Sequence, residues 1–400
     1  MTLLRPYQRQ AVDEIKKDFT VQGNSLIVVP TAGGKSWIIA VAVAELNVPT
    51  LILVPSRELL TQNMEKLVAI IGDKDVGVYS ASFNRKEVKK ITFATIQSVY
   101  KKPELFQHIG LVFIDEAHFV QLRSLDSMYG TFLKGIGSPK VIGLTATCFR
   151  LEIGYFRHPN GDLEAATMLK ILTRMRHKSQ TEMFWKRILF HISHAELLAQ
   201  GYLCPLQYVH SPLLPYEEIP VNQSHSDYNL EAYTQAIVGR EAQILSTISE
   251  AQKRFKSILV FCSTTEQART LQATVKHSEM VFADTKPKDR QRIVEDFKSG
   301  KVQTVFNVAC LTTGFDHPDM DCLILLRPTR SLPLYNQIIG RITRLAPNKR
   351  VGTVIDLTGT CKALGRIESF QLYRNERGLW NLRTEKHEGW HDRVLFTRII

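Results

Sequence analysis

Two groups of residues in this sequence have the types and spacing for chemistry on a polyphosphate. The first is Pro30-Thr31-Ala32-Gly33-Gly34-Lys35-Ser36, which follows the apolar run Leu26-Ile27-Val28-Val29 and leads into Ile38-Ile39-Ala40-Val41-Ala42-Val43-Ala44. It reads as strand, phosphate loop and helix. Adjacent glycines let backbone N–H groups turn inward around phosphates, and the helix that follows adds the positive end of its dipole. Thr31, Ala32, Gly33 and Gly34 would line the cradle, Lys35 would reach the outer phosphates, and the Ser36 hydroxyl would ligate magnesium. The match is incomplete, since Val29 stands where the strict pattern has a glycine, and Ala32 is a second departure.

The second group is Asp115-Glu116, directly after the apolar run Leu111-Val112-Phe113-Ile114. Asp115 would hold the water shell of the magnesium while Glu116 orients or deprotonates the attacking water. A paired acid at a strand end is more often a solvated terminus when taken alone. Lys35 and Ser36 earlier in the chain change that weighting, and the pair of motifs points to ATP and Mg2+ as ligands.

These residues need a scaffold that brings strand ends together. Thr50-Leu51-Ile52-Leu53-Val54, Ile91-Thr92-Phe93-Ala94, Leu111 to Ile114 and Val141-Ile142-Gly143-Leu144 are apolar without polar alternation, and helical patterns separate them. Such runs suit strands buried on both faces, hence an α/β fold with a parallel sheet flanked by helices. Ligands of such sheets gather at the carboxyl ends of the strands. A helix is expected from Leu4 through Phe19, with Arg5, Tyr7 and Gln8 placed around an adenine; the Gln8 amide can both donate and accept. The second half repeats the pattern with apolar runs at 258–261, 281–282, 302–308, 322–326 and 351–357. There Gln337, Arg341 and Arg344 stand at i, i+4 and i+7, one face of a helix that would offer guanidinium groups to a transferred phosphoryl group.

Four hundred residues suffice for two or three domains with cores of their own. The net charge of +12 favours a polyanionic partner, most simply nucleic acid. The six cysteines form no Cys-x-x-Cys pair and no zinc spacing, which argues against a disulfide framework or a structural metal and for a reducing setting. The longest apolar stretch, Trp37 to Ala44, is too short to span a bilayer. An intracellular, cytoplasmic protein is expected, in the host cytoplasm if viral, with no membrane role.

Asp115-Glu116-Ala117-His118, with Thr145-Ala146-Thr147 downstream, resembles the DEAH-type signature of superfamily 2 helicases and translocases. Ser257 to Ser263 resembles the first strand of that family's second RecA-like lobe. Asn307 to Asp316 resembles its fifth motif and Gln337 to Arg344 its sixth. Within the superfamily the pattern is similar to RadD-like and phage UvsW-like DNA helicases. The resemblance implies two tandem RecA-like lobes, at 1–147 and 255–360. An inserted, mainly helical segment would lie at 148–254 and a tail at 361–400. It implies that Ser56, Arg57, Thr95, Ser263 and Thr312 contact a sugar-phosphate backbone and that Gly314 and Asp316 contact the nucleotide. His118, Thr145 and Thr147 would couple nucleotide state to lobe closure. The implied activity is ATP-dependent movement on DNA, branched or partly single-stranded, by a monomer that meets single-strand-binding, repair or replication proteins. An RNA-dependent ATPase, or a nucleic-acid clamp with a vestigial ATPase, are the alternatives.

Residues 148–254 match no motif. Asp162 to Lys178 reads as a helix with Leu163, Ala166, Leu169, Leu172 and Met175 roughly on one face and Lys170, Arg174 and Arg176 elsewhere. Arg150, Arg157, Lys178, Lys186 and Arg187 interleave with Tyr155, Phe156, Phe184 and Trp185, which suits either strand contact and base stacking or packing on the first lobe. His225 to Gly239 is polar and reads as a mobile stretch. His387 and His391, four residues apart, lack a third ligand for a metal site.

Overall fold

In the computed structural model, which describes residues 4–120, 127–137, 139–157, 163–174, 183–223, 227–310, 317–385 and 394–399 (backbone alone for 151–157, 163–168, 174 and 394–399), the apolar runs of the first half become parallel strands. In chain order these are β1 (Asn24–Val28), β2 (Thr50–Leu53), β3 (Val76–Ser80), the short β4 (Arg85–Lys86), β5 (Ile91–Ala94), β6 (Leu111–Asp115) and β7 (Lys140–Thr145). After β8 (Phe149–Arg157) and β9 (Leu163–Ile171), β10 (Trp185–His191) returns to the same sheet. The spatial order is β10-β1-β7-β6-β2-β5-β3-β4, parallel throughout except for β4 on β3. Leu111 to Ile114 are completely buried, as expected of central strands covered on both faces. Helix α1 (Pro6–Asp18) and helix α3 (Arg57–Ile71) both pack against α2 (Lys35–Leu46), which explains why α2 is apolar nearly all round.

The second half builds its own sheet from β11 (Leu206–His210), β12 (Ile258–Cys262), β13 (Ser278–Val281), β14 (Thr304–Asn307), β15 (Cys322–Leu326) and β16 (Gly352–Asp356). Their order is β11-β16-β15-β12-β14-β13, every pair parallel. The tail contributes the antiparallel hairpin of β17 (Gln371–Arg374) and β18 (Trp380–Arg383), then β19 (Val394–Ile399). The chain divides into two compact units, residues 1–150 with 170–193, and 151–169 with 194–400.

The interval read as a mainly helical insertion differs from that expectation. Over Leu163–Ile171 the expected helix is the strand β9, held between β19 and β8 in a three-stranded sheet. The i, i+3 apolar spacing fitted a helix, but two ladders satisfy the backbone of β9 from both sides, and tertiary pairing overrides local pattern. The sequence did carry a contrary signal in Asn160-Gly161, a dipeptide typical of hairpin turns. Met175, Arg176 and Lys178 lie outside the described residues.

Strand β10, from the same interval, pairs with β1. Its Trp185 is fully buried, so this aromatic serves the core; a Cβ on Gly143 would come within 2.5 Å of the Trp185 ring and 2.6 Å of Ala117. Asp18 fastens the edge, with Lys140 Nζ at 2.6 Å, Arg187 at 3.3 Å and the Ser25 hydroxyl at 2.5 Å. One carboxylate therefore ties α1, β7, β10 and β1 together. The stretch read as mobile contains the helix Leu230–Ala236, whose cap Asn229 accepts from Ala232 N–H while Tyr228 and Tyr233 are buried beside it. His387 and His391 lie outside the described residues. Among the described residues no helix is long and apolar enough to cross a membrane, and no cluster of His, Cys, Asp and Glu is arranged to hold a metal.

Candidate nucleotide site

The phosphate loop joins the end of β1 to the first turn of α2. Its backbone takes left-handed conformations at Ala32 (φ 66°) and Gly34 (φ 76°), and Gly33 N–H bonds back to Pro30 C=O at 3.0 Å. Ala32, a departure from the glycine-rich pattern, thus holds the loop shape at the modest steric cost of a left-handed alanine. Tyr7 and Gln8, expected around an adenine, are buried and both reach the loop. The Tyr7 hydroxyl donates to Gly33 C=O at 2.6 Å and the Gln8 amide donates to the same oxygen at 3.3 Å. Gln8 also accepts from Arg5 N–H at 3.0 Å, so helix α1 fixes the cradle from behind.

Gly34 has a second constraint besides its φ. A Cβ there would collide with the Gln8 amide nitrogen. Gly34→Ala should therefore displace Gln8 from the loop and add left-handed strain of roughly 1–2 kcal/mol. The expected result is a lower melting temperature and loss of the further rise that ATP binding gives the wild type. An unchanged rise with ATP in the substituted protein would show that Gln8 does not hold the cradle.

The sheet then aligns the rest. β6 lies beside β7, pairing Asp115 with Leu144, and β7 lies beside β1, pairing Thr145 with Val28. Lys35, 9% exposed, comes within 3.6 Å of Glu116 Oε1. Asp115 accepts from the Asn63 amide at 2.9 Å and from Glu116 N–H at 3.0 Å, while Glu116 itself is left-handed at φ 54°. His118 Nδ1 is 2.9 Å from the Thr145 hydroxyl and 3.4 Å from Glu116 Oε2. Thr145 in turn donates to Thr147 C=O at 3.1 Å and accepts from Thr147 N–H at 3.0 Å. His118, Thr145 and Thr147 thus form one buried hydrogen-bonded chain beside the acid pair.

Burial, with the Lys35 and Arg150 charges, pushes His118 down to about 3, so it is neutral near pH 7 and its contact with Glu116 is not an ion pair. Burial and the neighbouring Glu116 raise Asp115 above the usual carboxylate range, against the pull of Lys35 and the Asn63 amide. Crowded carboxylates of this kind are what a divalent cation relieves. Glu116 Oε2 is buried with no hydrogen-bond partner among the described residues. A left-handed cradle, a lysine, the first-turn Ser36, an acid pair and this free acceptor fit a nucleotide polyphosphate with its metal.

In the second unit, Gln337 lies in the helix Leu332–Ile339, which ends at Gly340. Arg341 and Arg344 follow that end, so the three do not share one continuous helix face. Arg341 N–H bonds to Ile338 C=O at 3.2 Å and Ile342 N–H to Ile339 C=O at 3.1 Å, a tightening into turns. Elements far away in sequence take up the next carbonyls, as with Cys204 N–H on Thr343 C=O at 2.7 Å.

The residues expected on a nucleic-acid backbone divide. Ser56 caps α3, accepting from Leu59 N–H at 3.3 Å. Arg57 is exposed, donates to Ser82 C=O at 3.0 Å and lies 4.6 Å over the Phe83 ring. The Thr95 hydroxyl is 2.9 Å from that of Ser98. Ser263 is buried and its hydroxyl donates to Leu326 C=O at 2.9 Å. Thr312, Gly314 and Asp316 lie outside the described residues. Asn63 was not singled out from the sequence, and Arg150 was read only as part of a basic segment, not as a charge beside His118. A polar residue on an amphipathic helix and an arginine after a strand carry no local signal of what they meet.

Two family descriptions match parts of the chain. Residues 2–150 match the family described as "Type III restriction enzyme, res subunit", and residues 240–346 the "Helicase conserved C-terminal domain". The chain is 27% identical over 382 residues to "Putative ATP-dependent helicase IRC3" of Saccharomyces cerevisiae, covering 89% of this chain and 52% of that protein. It is 25% identical over 328 residues to "DNA 3'-5' helicase XPB" of Kineococcus radiotolerans, covering 79% and 52%. The chain thus spans about half the length of both relatives. Among solved structures, the "ATP-dependent Type ISP restriction-modification enzyme LlaBIII bound to DNA" matches with a TM-score of 0.62 at 16% identity. That match covers 89% of this chain and 28% of the other, a likeness of fold.

Proposed function

Because the chain belongs to the superfamily 2 helicases, we propose that it hydrolyses ATP and uses the energy to move along nucleic acid, with DNA as the preferred track. The observation that carries this reading is the approach of Lys35 to Glu116 beside Asp115 and His118, which puts phosphate loop and acid pair in one site. Lys35 holds the outer phosphates. Ser36 and Asp115 hold magnesium, which when bound supplies charge neutralisation for the phosphates. Glu116 takes the proton of the attacking water, its Oε2 being the acceptor not already engaged. Neutral His118, hydrogen-bonded to Thr145, links the acid pair to the Thr145–Thr147 strand end and gives the reaction a mechanical outlet. Gln337, Arg341 and Arg344 are assigned to the charge that spreads over the transferred phosphoryl group.

DNA is favoured by the relatives whose names specify it and by the similarity to RadD-like and UvsW-like sequences; the +12 charge supports any nucleic acid equally. Ser56, Arg57 and Thr95 grip the backbone without reading bases. The test compares ATP turnover at fixed salt with forked DNA, linear duplex, single strands and structured RNA. Stimulation by DNA, greatest for branched or partly single-stranded forms, is expected. Stronger stimulation by RNA than by every DNA form would replace this reading with the RNA-dependent one.

A further inference from the structure

Three backbone carbonyls in the second unit converge on one ammonium. Lys349 Nζ lies 2.7 Å from Pro318 O, 3.1 Å from Met320 O and 3.1 Å from Ile342 O, and the residue is 8% exposed. An ammonium has three donors and no acceptor, so this one is fully spent on main chain. Burial lowers it to about 8, which still leaves it charged at neutral pH. A buried charge of this kind is costly, and three short contacts to carbonyls repay it only in this arrangement.

What Lys349 joins is the informative part. Ile342 is the neighbour of Arg341 in the turns after Gly340, and Pro318 and Met320 lie just beyond Gly314 and Asp316 in the chain. The same turns are held on other sides. Thr343 C=O accepts from Cys204 N–H at 2.7 Å and the Thr343 hydroxyl donates to Gly340 C=O at 2.9 Å. Gly352 packs so closely that a Cβ there would come within 2.7 Å of the Ile342 side chain and 2.9 Å of its carbonyl oxygen. The Arg341 backbone therefore has little freedom, and Lys349 is a charged group that binds the carbonyl of the adjacent residue directly.

We propose that Lys349 is a positioning residue for Arg341, fixing the turn from which that guanidinium serves phosphoryl transfer. The proposal rests on the reading of Arg341 given above. A lysine that merely stabilised the second unit would lower the melting temperature without acting through Arg341, and that difference can be measured.

The experiment is a double-mutant cycle on the full chain, reading DNA-stimulated ATP turnover and thermal unfolding for wild type, Lys349→Met, Arg341→Ala and the double variant. Lys349→Met should lower kcat by ~10²-fold, the scale of a misplaced catalytic group, with a much smaller change in KM for ATP. In the Arg341→Ala background the same substitution should change kcat less than about twofold, because the residue it positions is gone. A kcat penalty that persists undiminished there, or wild-type kcat in Lys349→Met, overturns the proposal. If Arg341→Ala itself leaves kcat unchanged, the reading of Arg341 fails and takes the proposal with it, a result distinct from additive losses. Should Lys349→Met not fold, Lys349→Arg keeps the charge on a planar fork that cannot converge on three carbonyls in the same way. The same loss of effect in the Arg341→Ala background is then required.

Discussion

Glu116→Gln is expected to lower ATP turnover by ~10²–10⁴-fold, the usual cost of removing a general base, while ATP and magnesium still bind. The substitution keeps the size of the side chain, and the backbone at φ 54° is as acceptable to glutamine as to glutamate. What it removes is the capacity to take a proton at Oε2, the oxygen that has no hydrogen-bond partner among the described residues. It also removes the negative charge 3.6 Å from Lys35, which leaves the ammonium freer to bind phosphate. Rate and affinity should therefore separate. Single-turnover hydrolysis together with equilibrium binding of ATP measures both; turnover near the wild-type rate would move the basic role to another residue.

Arg341→Ala should cost on the order of 10³-fold in turnover, the scale seen when an arginine that meets developing phosphoryl charge is removed. Affinity for ATP should suffer much less, since the guanidinium contributes chiefly in the transition state. Arg341 is 6% exposed and sits in turns whose carbonyls are bound by Lys349 and by Cys204 N–H. Steady-state kcat and KM separate the two effects. Equal losses in both would assign Arg341 to ground-state binding.

The phosphate loop and the acid pair were legible in the sequence because each is local: a strand, a turn and the start of a helix in one case, the end of one strand in the other. Their meeting was legible too, since parallel strands bring their carboxyl ends level, as the pairing of Val28 with Thr145 and Leu144 with Asp115 does. What escaped is what depends on distant partners. Leu163 to Ile171 has helical spacing, yet it is a strand because β19, from the far end of the chain, lies against it. Trp185 among basic residues fits base stacking and packing on the first lobe equally by sequence, and only the distant pairing of β10 with β1, which buries it, decides for packing. Gln337, Arg341 and Arg344 fit one helical face by number, but Gly340 ends the helix first. Asn63 and Lys349 carry no sequence signal at all, and Gln8, expected at an adenine, gives no sign of its contact with Gly33, since each acts through a contact with residues remote in the chain.

The central claim is that nucleic acid and the Lys35–Glu116 site are parts of one engine. It is tested most directly by the rate of ATP hydrolysis by the wild-type protein with and without saturating partly single-stranded DNA, at equal salt and magnesium. The account predicts slow hydrolysis alone and a large rise in kcat with DNA, absent in Glu116→Gln. A rate that does not respond to DNA or RNA, under conditions where either is shown to bind, would contradict it.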